Sequence, residues 1–298
     1  MKEINELVRD YKPNGYKKLG NAILINTKDK KMIIKKKENE NNIYEYLNSR
    51  SFRYYPKIIN ENDNYRITEY INEIEMPEEQ KMIDMINLVS LLHSKTTFYK
   101  EVDEDDYKKI YEDITGNIEY LGSYYIDLIT IIESKVYMSP SEYLLARNIS
   151  KIFSALNYAK NELEKWLEII ENKKKQRFVV LHNNLELSHY IRNDNSYLIS
   201  WDKSKIDIPI FDLYKLYKKY ALTFDFESIL KEYEKIYPLL QEEIILFFVL
   251  ITLPDKIEFK NSEYENTKLV SKKIDIIYKT EKLIEEYSKT KKEYTNNK

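Results

Sequence analysis

The stretch VVLHNNLELSHYIRNDNSYLISWDKSK, residues 179–205, decides how this chain is read. An apolar run, a polar middle, a second apolar run, the turn signal RNDNS and a closing YLIS predict strand, polar loop, strand, tight turn, strand. Two His and several Asn lie in this stretch, residue types that carry or orient protons. Where a catalytic loop of this shape would call for carboxylates, however, the chain has Asn and Ser. The stretch is an active site, a disabled one, or an ordinary loop.

On its N-terminal side, residues 16–37 hold two β-rich runs around the turn signal TKDKK. NENNIYEYLNSRSF (39–52) follows as a short helix, with Ile43, Tyr44 and Leu47 at helical spacing. YPKIINENDNYRITEYI (55–71) predicts two more strands around NENDN. From Pro77 the period lengthens. EEQKMIDMINLVSLLHSKT (78–96) reads as one helix, and longer helices cover 105–134 and 140–173, the second capped by a Ser of MSPSEY. Helices resume at FDLYKLYKKYA (211–221). The expected fold class is α+β: a small strand-rich lobe over residues 1–73, then a helical lobe over 74–298 with a β-hairpin embedded in it.

Composition narrows the function classes. Hydrophobic residues are 43% and charged residues 33% of the 298, which describes a globular chain. A net charge of -2 argues against a nucleic-acid protein held by bulk electrostatics. The absence of Cys removes disulfides, thiolate nucleophiles and Cys-bound metals. The four glycines, at positions 15, 20, 116 and 122, form neither G-x-G-x-x-G nor a Walker loop. The first residues contain no apolar signal-peptide core, and IILFFVLITL (244–253) is too short to cross a bilayer. A cytoplasmic address without a membrane or nucleic-acid partner is the expectation.

Several motifs then fall in a familiar order. YLNSRSFRYYPKII (46–59) precedes the leucine-rich LVSLLHSKT (88–96). VVLHNNLELSHYI (179–191), YLISWD (197–202), DIPIFDLYKL (207–216) and YPLLQEEIILFFVLITLPDKIEF (237–259) come after. Together they resemble the aminoglycoside phosphotransferase and choline kinase superfamily of kinase-like folds, and within it the bacterial spore-coat kinase-like branch. The resemblance covers most of the chain and implies a two-lobed, protein-kinase-like fold. On it, His182 matches the catalytic-loop His. Asn184 stands where the family has its catalytic Asp, His189 where it has a metal-binding Asn, and Ser200 where it has a metal-binding Asp. Lys35 matches the strand lysine that reaches nucleotide phosphates, with Glu40 as its helix partner and Glu45 as the alternative. Pro209 and Asp212 are retained, Asp212 as an expected helix cap that holds the catalytic loop.

Chemistry weighs on these substitutions. Asn has the shape of Asp but accepts no proton at neutral pH, and losing a positioned base costs about 10²–10⁴ in rate. Mg²⁺ wants hard oxygen ligands, which a hydroxyl and an imidazole do not supply well. Asp202 is the substitute metal ligand if the register shifts by two residues, a shift that keeps the strand face. Plainer readings stand beside each of these. Lys35–Lys37 is a solvated charge run, His182 a hydrogen-bonded structural residue, His93 a packed or capping one, and Asp202 a solvated strand-end acid. A zinc site from His182, His189 and Asp202 lacks a close ligand pair and a fourth ligand.

The reading is a pseudokinase: a ligand-binding or protein-scaffolding module, with an unidentified protein partner or a small ligand in the interlobe cleft. The alternative is an unorthodox phosphotransferase using ATP, with Mg²⁺ on Asp202. A third reading is a purely structural spore-coat component.

Overall fold

The computed structural model describes residues 2–37, 43–171 and 173–296. By packing, these fall into two units, one comprising residues 1–96 and 180–206, the other 97–179 and 207–298. The boundary expected between residues 73 and 74 is a division along the chain, and packing is a different criterion.

The first unit opens with a short helix, α1 (Lys2–Val8), and a five-stranded sheet. Its strands are β1 (Gly15–Leu19), β2 (Ala22–Asn26), β3 (Lys31–Lys36), β4 (Ile58–Glu61) and β5 (Tyr65–Glu69), all antiparallel in the order β1-β2-β3-β5-β4. One expected run over residues 16–26 is in fact a hairpin. The chain reverses at Gly20, whose φ of +55° is left-handed and open to glycine at no steric cost. The next turn is the expected one: the Thr27 hydroxyl donates to the Lys30 carbonyl at 2.8 Å and accepts from the Lys30 amide at 3.1 Å.

Alternation then sorts the side chains of β3. Met32 and Ile34 point into a core made with Ile25, Ile67, and Ile4 and Val8 of α1. Lys31, Ile33 and Lys35 are left on the opposite face. Helix α2 (Ile43–Ser49) and helix α3 (Glu78–Thr96) complete the N-terminal part, with His93 fully buried on α3.

A second, three-stranded sheet has the order β10-β7-β6, from β6 (Phe98–Glu101), β7 (Lys175–Leu181) and β10 (Lys205–Asp207). The chain passes between the units after Thr96, within β7 and within β10. The hairpin at RNDNS forms as expected, with β8 (Tyr190–Arg192) paired to β9 (Ser196–Leu198).

The second unit is largely helical: α4 (Glu104–Glu133), α5 (Pro140–Ile170), α6 (Ile210–Tyr220), α7 (Phe226–Ile236), α8 (Gln241–Thr252) and α9 (Glu263–Asn296). Ser139 caps α5 in a reciprocal box. Its hydroxyl accepts from the Glu142 amide at 3.4 Å, and its own amide donates to the Glu142 carboxylate at 2.9 Å. The apolar run 244–253 is α8, buried at Ile244, Leu246, Phe247, Phe248, Val249 and Ile251, and it stops short of Pro254. Among the described residues no helix is long and apolar enough to cross a membrane.

One expectation is corrected here. Asp212 does not cap α6. Pro209 holds the cap position with φ already at -57°, so the helix starts early and Asp212 is its third residue, fully buried in the first turn. A negative charge there still matches the helix dipole.

Two charge clusters hold this unit. Arg177 on β7 and Glu243 on α8 are 8% and 4% exposed. Arg177 Nε donates to one Glu243 oxygen at 2.9 Å and Nη2 to the other. Nη2 also donates to the Pro238 carbonyl at 3.0 Å, and the guanidinium lies 4.2 Å from the Tyr237 ring centre. Asp255 accepts from Lys218 at 2.5 Å and from Lys273 at 2.6 Å. Burial works against the Asp255 charge, but the two lysines outweigh it and hold its pKa below the ordinary 3.8.

Removing one partner of a buried pair strands the other, a loss of about 3–5 kcal/mol. Glu243→Gln should therefore lower the unfolding free energy, read from denaturant titration, by about that amount. Lys165→Ala, which breaks an exposed i,i+3 pair with Glu162, should stay within about ±0.5 kcal/mol. For Asp255 the sign follows from a depressed carboxylate: its stabilisation is present above the unfolded pKa and is lost as pH falls through the folded one. Asp255→Asn should lower the urea midpoint at pH 7, and the gap to the native chain should close as pH drops below 3.8.

Candidate functional site

The cross-strand register of β3 sets the site. Lys35 lies directly opposite Arg66 on β5, so two cations share one face of the sheet. Like charges in that position repel, and each has its own counterpart. Arg66 Nε donates to Glu61 at 2.7 Å, and its guanidinium sits 4.2 Å from the Tyr44 ring centre. Lys35 forms an ion pair with Asp202, a residue 167 positions away in sequence. The two side chains are 28% and 21% exposed, so water screens the pair only in part.

Around this pair is a cavity of about 850 Å³, lined within the first unit by Lys35, Asn184, His189, Ser200 and Asp202 among others. Arg66 and Tyr44 also line it. The Tyr44 phenol is pushed up to about 12, first by burial; Arg66 opposes that shift and Asp202 adds to it.

The loop after β7 owes its shape to backbone bonds made by side chains. His182 is fully buried. Its Nε2 lies 2.8 Å from the Ile199 carbonyl, which can only accept, so Nε2 carries the proton. Its ring meets Trp201 edge-on, with centroids 4.8 Å apart, and Trp201 Nε1 donates to the Leu198 carbonyl at 2.7 Å. His189 Nδ1 donates in the same way to the Asn184 carbonyl at 2.7 Å. Asn183, left-handed at φ 61°, donates from Nδ2 to the Lys203 carbonyl at 2.7 Å. Asn tolerates that conformation. Ser200 adopts it too, at φ 66° and ψ 51°, a conformation uncommon for a residue other than Gly, Asn or Asp.

Four of the positions singled out in the sequence thus line one cavity with Lys35: Asn184, His189, Ser200 and Asp202. His182 supports the loop from beneath. Glu40 lies outside the described residues, and Glu45 is exposed on α2. The two histidines and Asp202 do not make a zinc site: among the described residues no three His, Asp or Glu side chains are grouped to hold a metal. Sequence reasoning missed Arg66 and Tyr44. Alternation in NYRITEY puts Arg66 on the same face as Lys35 once the register is known, but nothing local to the sequence supplies that register.

No protein-family model matches the chain, and no curated protein matches it in sequence. Solved structures do match in fold. An aminoglycoside phosphotransferase from Alicyclobacillus acidocaldarius superposes with a TM-score of 0.61 at 9% identity, covering 94% of this chain and 92% of that one. An AMP-bound spectinomycin phosphotransferase gives 0.55 at 12%, covering 94% and 97%. The choline kinase LicA from Streptococcus pneumoniae gives 0.50 at 19%, covering 92% and 98%. At these identities the likeness shows the fold. The chain has the kinase-like α+β fold that the resemblance implied.

His182→Ala should lower stability by at least about 1–3 kcal/mol, because the Ile199 carbonyl loses its donor in a buried place. His189→Ala, at a half-buried position where water can replace the ring, should cost less. Denaturant midpoints of the two variants make the comparison, and equal losses would show His182 to be no support.

Proposed function

We propose that this is a member of the aminoglycoside phosphotransferase and choline kinase superfamily that has lost phosphotransfer and uses its cavity to bind an anionic ligand. The observation that carries the reading is the lining of that cavity. Asn184, His189 and Ser200 stand together on it, at the three positions where the family resemblance places a base and metal ligands.

The residues present do not suit Mg²⁺. Ser200 offers a neutral hydroxyl and His189 an imidazole, while the nearby carboxylate of Asp202 is engaged by Lys35. Asn184 accepts no proton. The cations suit an anion better: Lys35, Lys36 and Arg66 all line the cavity. Such a module would sense or hold a small phosphorylated molecule, or present a surface to a protein, without turnover.

A second reading has one observation in its favour. Asp202 is brought to the cavity beside Lys35, where a carboxylate could serve an unorthodox phosphotransferase. The two readings diverge at this residue.

In the first reading, purified protein incubated with ATP and Mg²⁺ transfers no phosphate to aminoglycosides or to choline-like alcohols. Nucleotide or pyrophosphate raises Tm without Mg²⁺, since a ligand that binds only the native state stabilises it. Asp202→Asn should enlarge that metal-free shift, because Lys35 is then released to the ligand. Turnover in the native chain that disappears in Asp202→Asn would instead establish the second reading.

A further inference from the structure

Charge is distributed unevenly along this chain. Residues 1–37 carry eleven Lys or Arg against four Asp or Glu, although the whole chain has a net charge of -2. Part of that excess surrounds a groove of about 740 Å³ at one end of the five-stranded sheet, well apart in sequence from the loop of residues 182–204. Lys28 and Lys30 of the β2–β3 turn, Lys31 at the start of β3 and Lys57 before β4 are exposed along it. Its floor includes Ile58, Ile59 and Tyr70, all half-buried. Asp29 and Glu69 also line it, and Glu69 accepts from the Lys57 amide at 2.9 Å. Lys30 and Lys31 lie over the rings of Tyr11 and Tyr70, at 5.1 and 5.6 Å. Among the described residues no carboxylate forms an ion pair with any of the four lysines.

The groove's own rim leads into the complementary surface. Asn72 lines the groove and begins NEIEMPEE, residues 72–79, which holds four Glu and no Lys or Arg. The segment has no regular secondary structure up to Pro77 and is tied at one point, where the Ile74 amide donates to the Arg192 carbonyl at 2.8 Å. Glu73 is paired with Lys81. Glu75, Glu78 and Glu79 are exposed and form no ion pair among the described residues. Between the acids, Ile74 is 53% exposed, an apolar side chain with no cover.

We propose that this face is the interface of a homodimer, in which residues 74–79 of each copy dock on the lysine groove of the other. The occupant follows from the adjacency. An acidic patch and a basic patch side by side on one unit are self-complementary under a two-fold axis, the commonest symmetry of soluble oligomers. Ile74 then covers the Ile58, Ile59 and Tyr70 floor, an apolar centre within a charged rim. Glu69 and Tyr70 line the Lys35 cavity as well as the groove, but the proposal needs no ligand there and is tested without one.

Sedimentation and light scattering on the full chain test it. The native chain should be dimeric at low salt, with Kd rising about tenfold or more as salt shortens the reach of exposed charges. Lys28→Glu with Lys30→Glu and Lys31→Glu should give a monomer, as should Glu75→Lys with Glu78→Lys and Glu79→Lys. Mixing the two charge-reversed proteins should restore a dimer, because both contacts across the two-fold are again attractive. Circular dichroism on each variant establishes that it is folded. A native chain that stays monomeric at low salt and high concentration would overturn the proposal. So would association that ignores the charge reversals, or a mixture that stays monomeric.

Discussion

Two cations facing each other across neighbouring strands are the constraint around which the first unit is arranged. Met32, Ile34 and Ile67 must enter the core, and the period of two then places Lys35 and Arg66 side by side on the other face. That juxtaposition is tolerable only because Arg66 is met by Glu61 and Tyr44, and Lys35 by Asp202. The Asp202 contact ties the β3 strand to the turn after β9, so the cavity wall is set by electrostatics as well as packing.

The histidines contribute by shape. Each donates a ring proton to a backbone carbonyl, His182 to Ile199 and His189 to Asn184. A loop that resembles a catalytic loop is therefore kept in form by bonds that need no catalytic carboxylate. Asn183 adds a third bond of this kind. The loop's shape thus rests on His182, His189 and Asn183, each bonded from its side chain to a backbone carbonyl. The second unit rests on a different solution, a desolvated Arg177–Glu243 pair with further bonds from Arg177 to the Pro238 carbonyl and from the Leu240 amide to Glu243. The first unit's Lys35–Asp202 pair is part-exposed, whereas Arg177 and Glu243 are nearly closed off from water.

Much of the architecture was legible because it is local. Turn chemistry marked TKDKK and RNDNS, helical spacing marked residues 78–96, and Ser139 before Pro140 announced the start of α5. The hairpin at Gly20 was missed, since a lone Gly-Asn inside a continuous β-rich run is a weak turn signal. The expected cap at Asp212 failed for a related reason. Proline presets helical φ, so α6 began three residues earlier than the acid implied.

The Asn, His and Ser residues of the 182–200 stretch, the lack of cysteine and the order of α and β segments were determined by sequence alone, because residue type and near-neighbour periodicity need no partner. Only the tertiary structure decided that Lys35 pairs with Asp202, that Arg66 and Tyr44 share the cavity, and that acidic and basic surfaces adjoin at residue 72. Those are contacts between side chains far apart along the chain or on different strands. Strand register and loop conformation set them, and both are settled by the energy of the assembled fold.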